Sequence, residues 1–174
     1  MSDWKDQIAV MHLVKQELMK RDKDRLWPHH LPEVGATEEQ MQEAEKALGF
    51  PLDPQYYEFL MHADGWKGFL QTVDLLGTRE LMGSPLMDEA LALLGAIEPD
   101  VLDDSGFSRE QLLPIAAGTH DRDLFVIALP DSPAPDTVIW FAGEEIERFE
   151  SFEEYFLAMV DYNREEVEAL SAGG

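Results

Sequence analysis

The first thirty residues carry one apolar stripe with helical spacing. Its members recur every three or four residues, which places them on one side of a helix: Trp4, Ile8, Met11, Val14 and Leu18. Basic residues follow near the end of this helix, where cations stabilise the helix dipole: Lys20, Arg21, Lys23 and Arg25. The pattern predicts an N-terminal helical extension over 1–30. It either packs on the rest of the chain or serves as an arm for dimerisation or for a partner.

Two helix start signals come next along the chain. Thr37 begins a capping box that Gln40 completes, and the apolar face that follows continues to Gly49, a residue that suits a left-handed C-cap. Asp53-Pro54 repeats the signal as an N-cap followed by proline at the first helical position. The spacing predicts two helices that are joined by a short turn.

Strand signals come mainly in the second half of the chain. Apolar runs there are rich in β-branched and aromatic residues and lack two-residue alternation, so we expect strands that are covered on both faces. A further capping box predicts the last helix at about 151–168. The order predicts an α+β domain with all strands on one sheet, near 69–75, 113–116, 123–129, 137–142 and 145–149.

Charge separates the N-terminal segment from the rest of the chain. The 174 residues include 13 Lys and Arg against 36 Asp and Glu, a formal net charge of −23. Residues 1–30 sum to +1, whereas residues 31–174 sum to −24. This charge repels nucleic-acid phosphates and anionic membranes and favours basic partners. The length fits one domain, which we place at 31–170 behind the extension at 1–30.

Composition also restricts the environment of the protein. The sequence has no cysteine, which excludes disulfides and thiolate chemistry. No apolar run approaches the ~18 residues that a membrane span needs, and the N-terminus lacks the layout of a signal peptide. We therefore expect a soluble cytoplasmic protein.

A series of short features occurs in order between residues 31 and 162. They are Leu31-Pro32, Gly35-Ala36-Thr37, Glu45 ahead of Leu48-Gly49, Tyr57 with Phe59-Leu60, Asp64-Gly65, Leu113-Pro114-Ile115-Ala116, and Ser151-Phe152-Glu153-Glu154-Tyr155. In this order the features resemble the SUKH superfamily, in its branch of Smi/Knr cell-wall regulators and immunity proteins.

The resemblance implies a fold and a class of function. The fold is one α+β domain with a mixed, mostly antiparallel sheet packed by helices, without catalytic residues or a cofactor. Bacterial members are associated with toxin immunity, in which they bind and block a cognate toxin, often a nuclease. Fungal relatives act in cell-wall regulation through protein contacts. The resemblance thus implies a non-catalytic protein-binding domain. The alternatives are a regulatory scaffold without a toxin and an unrecognised metal-dependent enzyme.

Residues that could carry catalysis do not form a recognised motif. The histidines have no ligand spacing, and the acidic residues after His120 fit a solvated turn better than a metal site. A phosphate-binding loop and the seryl motif are both absent from the sequence. We expect no catalytic, cofactor or metal site, and no activity that depends on His62, His120 or Asp123.

The candidate partner-binding residues are one tryptophan and a set of carboxylates. Trp66 follows a helix stop, and it is either an exposed anchor or a core ring with its N–H at the rim. Residues 144–168 contain ten acidic and two basic side chains, a balance that would steer a basic partner such as a nuclease. The predicted carboxylates are Asp64, Asp121, Asp123, Glu144, Glu145 and Glu147.

Overall fold

The computed structural model describes residues 3–118 and 121–172. Its helices are α1 (Trp4–Arg21), α2 (Glu38–Leu48), α3 (Pro54–His62), α4 (Thr78–Leu81), α5 (Pro85–Ala96), α6 (Pro99–Ser105) and α7 (Phe152–Ala172), with a short 3-10 turn at Arg109–Gln111. Its strands are β1 (Trp66–Leu70), β2 (Val73–Leu75), β3 (Leu112–Gly118), β4 (Leu124–Ala128), β5 (Val138–Phe141) and β6 (Glu145–Phe149). No helix among the described residues is long and apolar enough to cross a membrane.

The strands form one six-stranded sheet in which chain order is also spatial order. Each strand pairs antiparallel with the next, so the α+β prediction is confirmed and the sheet is antiparallel rather than mixed across the described residues. The single strand predicted at 69–75 is wrong, because the chain folds back there as the β1–β2 hairpin. Gln71, with a φ of 53°, supplies the left-handed turn residue that usually calls for glycine.

The predicted caps set the helix boundaries. Thr37 accepts a hydrogen bond from the backbone N–H of Gln40 at 3.1 Å, and the Gln40 side chain accepts one from the Thr37 N–H at 2.8 Å. Gly49 ends α2 in the left-handed conformation. The Asp53 carboxylate caps α3 through the Tyr56 N–H at 2.9 Å. These contacts satisfy backbone donors that the first helical turn leaves unpaired.

The main aromatic core lies between α7, α3 and α1. The Trp4 ring packs against Phe59, Phe152 and Phe156 with centroid separations of 5.3 to 5.5 Å. Trp4 is 1% exposed, and burial of a ring of this kind stabilises a fold by ~1.5–3 kcal/mol. The N-terminal stripe is therefore joined to the same core as the last helix.

Helix α1 runs parallel to α7 along its whole length. Hydrogen bonds join Gln7 to Glu153 near the beginning of both helices and Arg21 to Ser171 near their ends. The buried Lys15 ammonium lies between them and donates to the backbone oxygen of Gly68 at 2.6 Å. The division of the chain at residue 30 stays a prediction from sequence.

Candidate protein-binding surface

Three hairpin turns meet at one end of the sheet, which we call the hairpin end. They are the β1–β2 turn at 71–72, the β3–β4 turn, described here from residue 121 to 123, and the β5–β6 turn at 142–144. The Asp121 carboxylate accepts a hydrogen bond from the Thr72 hydroxyl at 3.1 Å and so joins the first two turns. The alternating strand directions of the sheet bring Asp121, Asp123 and Glu144 to this end.

Asp121 and Asp123 shape the β3–β4 turn. Asp121 is exposed, and one of its oxygens accepts from the Asp123 backbone N–H at 3.1 Å. Asp123 is half-buried and accepts from the indole N–H of Trp140 at 2.8 Å. Burial, followed by the charge of Asp121, raises the pKa of Asp123. His120 lies outside the described residues.

A bulge separates two of the predicted glutamates. The β5–β6 register shifts between Trp140 and Phe141, so Glu145 pairs with Phe141 while Glu147 pairs with Trp140. Both Glu145 oxygens accept hydrogen bonds from the Arg148 guanidinium, at 2.8 and 3.2 Å. Arg148 also donates to α6, so its partner Glu145 contacts groups on the α6 face of the sheet. Glu147 neighbours Arg148 on the strand, so the Glu147 side chain points to the opposite face.

Glu147 lies at the junction of β6 and α7. Its carboxylate accepts a hydrogen bond from the Tyr162 hydroxyl at 2.5 Å, and the Tyr162 ring packs edge-on against Trp140 at 5.7 Å. The hydrogen bond to Glu147, then burial and the charges of Glu147 and Glu165, raise the pKa of Tyr162 to about 12. The phenol of Tyr162 is therefore bound to one carboxylate, Glu147, and is affected by the charge of a second, Glu165.

The wider surface around this junction is strongly negative. Beyond Glu147, which is half-buried, the acidic side chains of the β5–β6 turn and of the outer side of α7 are exposed. The basic side chain Arg164 lies in this region, and it pairs with Asp161 at 3.3 Å in a contact too exposed to hold either group firmly. We call this surface the acidic face and define it as Glu144, Glu147, Glu154, Asp161 and Glu165.

Asp64 and Trp66 lie away from the acidic face, at the other end of β1. Trp66 is 1% exposed, so the prediction of an exposed anchor is wrong. Its ring packs against Phe69, and its N–H donates to the backbone oxygen of His30 at 3.1 Å, which is the alternative that the sequence left open. Both Asp64 oxygens accept hydrogen bonds from Thr78, each at 2.6 Å, so this carboxylate holds the first turn of α4.

The acidic balance of 144–168 already included α7, but sequence reasoning named no carboxylate of that helix and missed Tyr162. The available signal was the spacing of Glu154, Asp161 and Glu165, which places their side chains on one helical stripe. Their position beside Glu147 depends on how α7 packs against β6, and that packing is a tertiary property.

The absence of a metal site stays a prediction from sequence. Within residues 3–118 and 121–172, no group of three or more His, Cys, Asp or Glu is placed to hold a metal ion. His62 is exposed, and its Nδ1 lies 3.0 Å from the backbone oxygen of Glu58.

Comparison with known proteins identifies the family. A family model described as the SMI1 / KNR4 family (SUKH-1) matches residues 35–158, which is well over half of the chain. No curated protein matches the chain. The matched region begins just before α2 and ends inside α7, so it contains the whole sheet. The chain therefore belongs to the SMI1 / KNR4 family (SUKH-1) and is a domain of the protein-interaction or immunity type.

Proposed function

We propose that this protein is a non-catalytic immunity protein that binds a basic toxin, of the nuclease type, through its acidic face. Three observations support the proposal: the family, the net charge of −23, and the carboxylates that α7 and β6 bring together. Asp121 and Asp123 lie at the neighbouring hairpin end and extend the negative surface. We propose no role in binding for Trp66, which is buried.

The observation that carries the proposal is the hydrogen bond from Tyr162 to Glu147, with Glu165 about one turn further along the same helix. Hydrogen bonding of Glu147 to Tyr162 ties an edge strand to a long helix, so the carboxylates are held on a rigid frame. A rigid frame reduces the ordering cost when a partner binds. The exposed acids of the acidic face then meet Lys and Arg side chains of the partner from neighbouring backbone positions.

Charge of this kind acts first on the encounter between the two proteins. A surface of one sign attracts an oppositely charged partner at long range and raises the association rate. A nuclease must carry cations where it holds nucleic-acid phosphates. Carboxylates that pair with those cations block the substrate site directly, so inhibition by occlusion needs no catalysis.

Capture of the partner and an inhibition assay test the proposal. The bait variant replaces Glu144, Asp161 and Glu165 by Lys, because Glu145 and Glu147 are bound to Arg148 and Tyr162 and their replacement would also break those contacts. The control variant changes the same number of charges on α2, α3 and the 3-10 turn, at the exposed residues Glu43, Glu58 and Glu110.

We expect wild type and the control to retain the same basic protein from a lysate of the producing cells, and the bait variant to lose it. The purified partner should cleave nucleic acid, and a stoichiometric amount of the wild-type protein should stop the cleavage. A partner that is retained equally by all three proteins, or one whose nuclease activity persists in the complex, would contradict the proposal.

A further inference from the structure

A groove with a volume of about 790 Å³ is lined by residues outside the acidic face. Its walls come from the segment that leads into α2, from the ends of β1 and β2, and from α4 and α5. None of its lining residues belongs to β6 or α7. The groove is therefore a separate surface, and its size lies in the usual range of ligand sites.

Close backbone contacts fix the walls of this groove. A Cβ atom added at Gly35 would lie 2.2 Å from the backbone oxygen of Met61, and one added at Gly77 would lie 2.2 Å from that of Asp64. Glycine permits such approaches because it has no side chain. The first contact holds the segment before α2 against the end of α3, and the second, with the two hydrogen bonds from Thr78 to Asp64, holds the start of α4 against the residue that follows α3. The groove is thus formed before any ligand arrives.

The groove carries more negative than positive charge. Its lining includes five carboxylates and two cations: Glu33, Asp64, Asp74, Glu80 and Glu89 against Lys67 and Arg79. Glu80 is half-buried, and burial, followed by the charge of Asp64, raises its pKa. Asp64 and Glu80 both line the groove, so a cation bound there would be attracted by both carboxylates.

Apolar side chains are exposed beside these carboxylates. Val34 is 90% exposed, and it lines the groove together with Pro85 and the half-buried Leu86. A ligand that combines a cationic and an apolar group would contact both kinds of lining at once. A polyanion such as a nucleic acid would meet the net negative charge instead.

We propose that this groove binds an extended basic segment of a partner protein. One Lys or Arg side chain of the segment lies between Asp64 and Glu80, and a neighbouring apolar side chain covers Val34 and Leu86. The inference is independent of the acidic face, since the two surfaces share no residue. It adds a second site, specific for a short linear segment rather than for a folded basic surface.

A labelled peptide tests this inference on the full chain. The probe is a fluorescein-labelled hexapeptide of alternating Arg and Leu, and the comparison peptides alternate Arg with Ser and Glu with Leu. Fluorescence anisotropy should show the tightest binding for Arg-Leu, weaker binding for Arg-Ser and none for Glu-Leu. Glu80→Gln keeps the side-chain acceptor but removes the charge, and it should weaken Arg-Leu binding by about tenfold, the usual effect of a lost charge-assisted hydrogen bond. Val34→Ser should weaken it several-fold.

Two further proteins separate the groove from general attraction to an acidic protein. Glu110→Gln removes one charge at an exposed site outside the groove and should leave peptide affinity unchanged. The Lys variant of the acidic face should also bind the peptide normally. Equal losses in Glu80→Gln and Glu110→Gln, loss only in the acidic-face variant, or the absence of Arg-Leu binding would each overturn the inference. Competition by free arginine at the same concentration as the peptide would also overturn it, because it would indicate a small-cation site.

Discussion

Lys15 makes the stability of this protein depend on pH above neutrality. Its ammonium is buried between α1, α7 and β1, where it donates to the Gly68 backbone oxygen at 2.6 Å and to Asn163 Oδ1 at 3.1 Å. Burial lowers its pKa from the ordinary 10.5 to about 8, and the charge of Glu166 opposes this effect only in part. At pH values between about 8 and 10.5, the folded protein has therefore lost a proton that the unfolded chain still holds.

The sign and size of the effect follow from proton linkage. Where the unfolded state binds more protons than the folded state, the free energy of unfolding rises with pH. The contribution of Lys15 is complete above its unfolded pKa and is lost as the pH falls through its folded pKa. Each tenfold change in proton affinity is worth about 1.4 kcal/mol, so Lys15 should add about 2 kcal/mol between pH 8 and pH 10.

Urea denaturation of wild type and Lys15→Met at several pH values measures this contribution. The variant also loses two hydrogen bonds, which lowers its stability at every pH. The informative quantity is the difference in unfolding free energy between the two proteins, because other groups that titrate alike in both proteins cancel. We expect that difference to grow by about 2 kcal/mol from pH 8 to pH 10.

Lys20 provides the matched control, since its side chain is 70% exposed on the same helix. Wild type and Lys20→Met should differ by the same amount at every pH in this range. A wild-type advantage over Lys15→Met that stays constant or shrinks between pH 8 and pH 10 would refute the reasoning about Lys15.

Two further stability predictions use the same denaturation assay. Trp4→Ala should lower the free energy of unfolding by about 3–5 kcal/mol, as large aromatic truncations in cores do. Leu13→Ala, at a 61% exposed site on α1, should change it by less than about 0.5 kcal/mol. Similar effects of the two substitutions would contradict the packing of α1. Burial, followed by a hydrogen bond with Asp136, raises the pKa of Asp53 to about 7. The folded protein thus keeps a proton that the unfolded chain has lost, so stability should fall between about pH 4 and pH 7. Asp136→Asn should reduce this pH dependence of stability. An unchanged dependence would contradict the hydrogen bond between Asp53 and Asp136.

Local signals predicted most of the fold. Capping residues such as Thr37 and Asp53 lie where helices begin, and the apolar runs of the second half form β3 to β5. These signals succeed because each depends on residues close in sequence. The hairpin within 69–75 escaped prediction because its left-handed turn residue is Gln71, which has no strong preference for that conformation.

The candidate site was harder to predict because it depends on tertiary packing. Burial of Trp66 involves the backbone oxygen of His30, which is distant in sequence. The separation of Glu145 from Glu147 results from a bulge opposite Phe141, and strand alternation alone would put them on one face. The sequence pattern therefore indicated that this region is acidic, but not which carboxylates act together.

The central claim is that the acidic face guides and binds a basic partner. Stopped-flow association kinetics with the captured partner, at low salt and at physiological ionic strength, test it most directly. Screening at physiological ionic strength limits exposed charge interactions to about 8 Å. Association of the wild type should therefore slow markedly as salt is added, and the Lys variant of Glu144, Asp161 and Glu165 should associate slowly at both salt concentrations. The control at Glu43, Glu58 and Glu110 should keep more of the wild-type rate. Association rates that are independent of salt, or equal in the two variants, would contradict the claim.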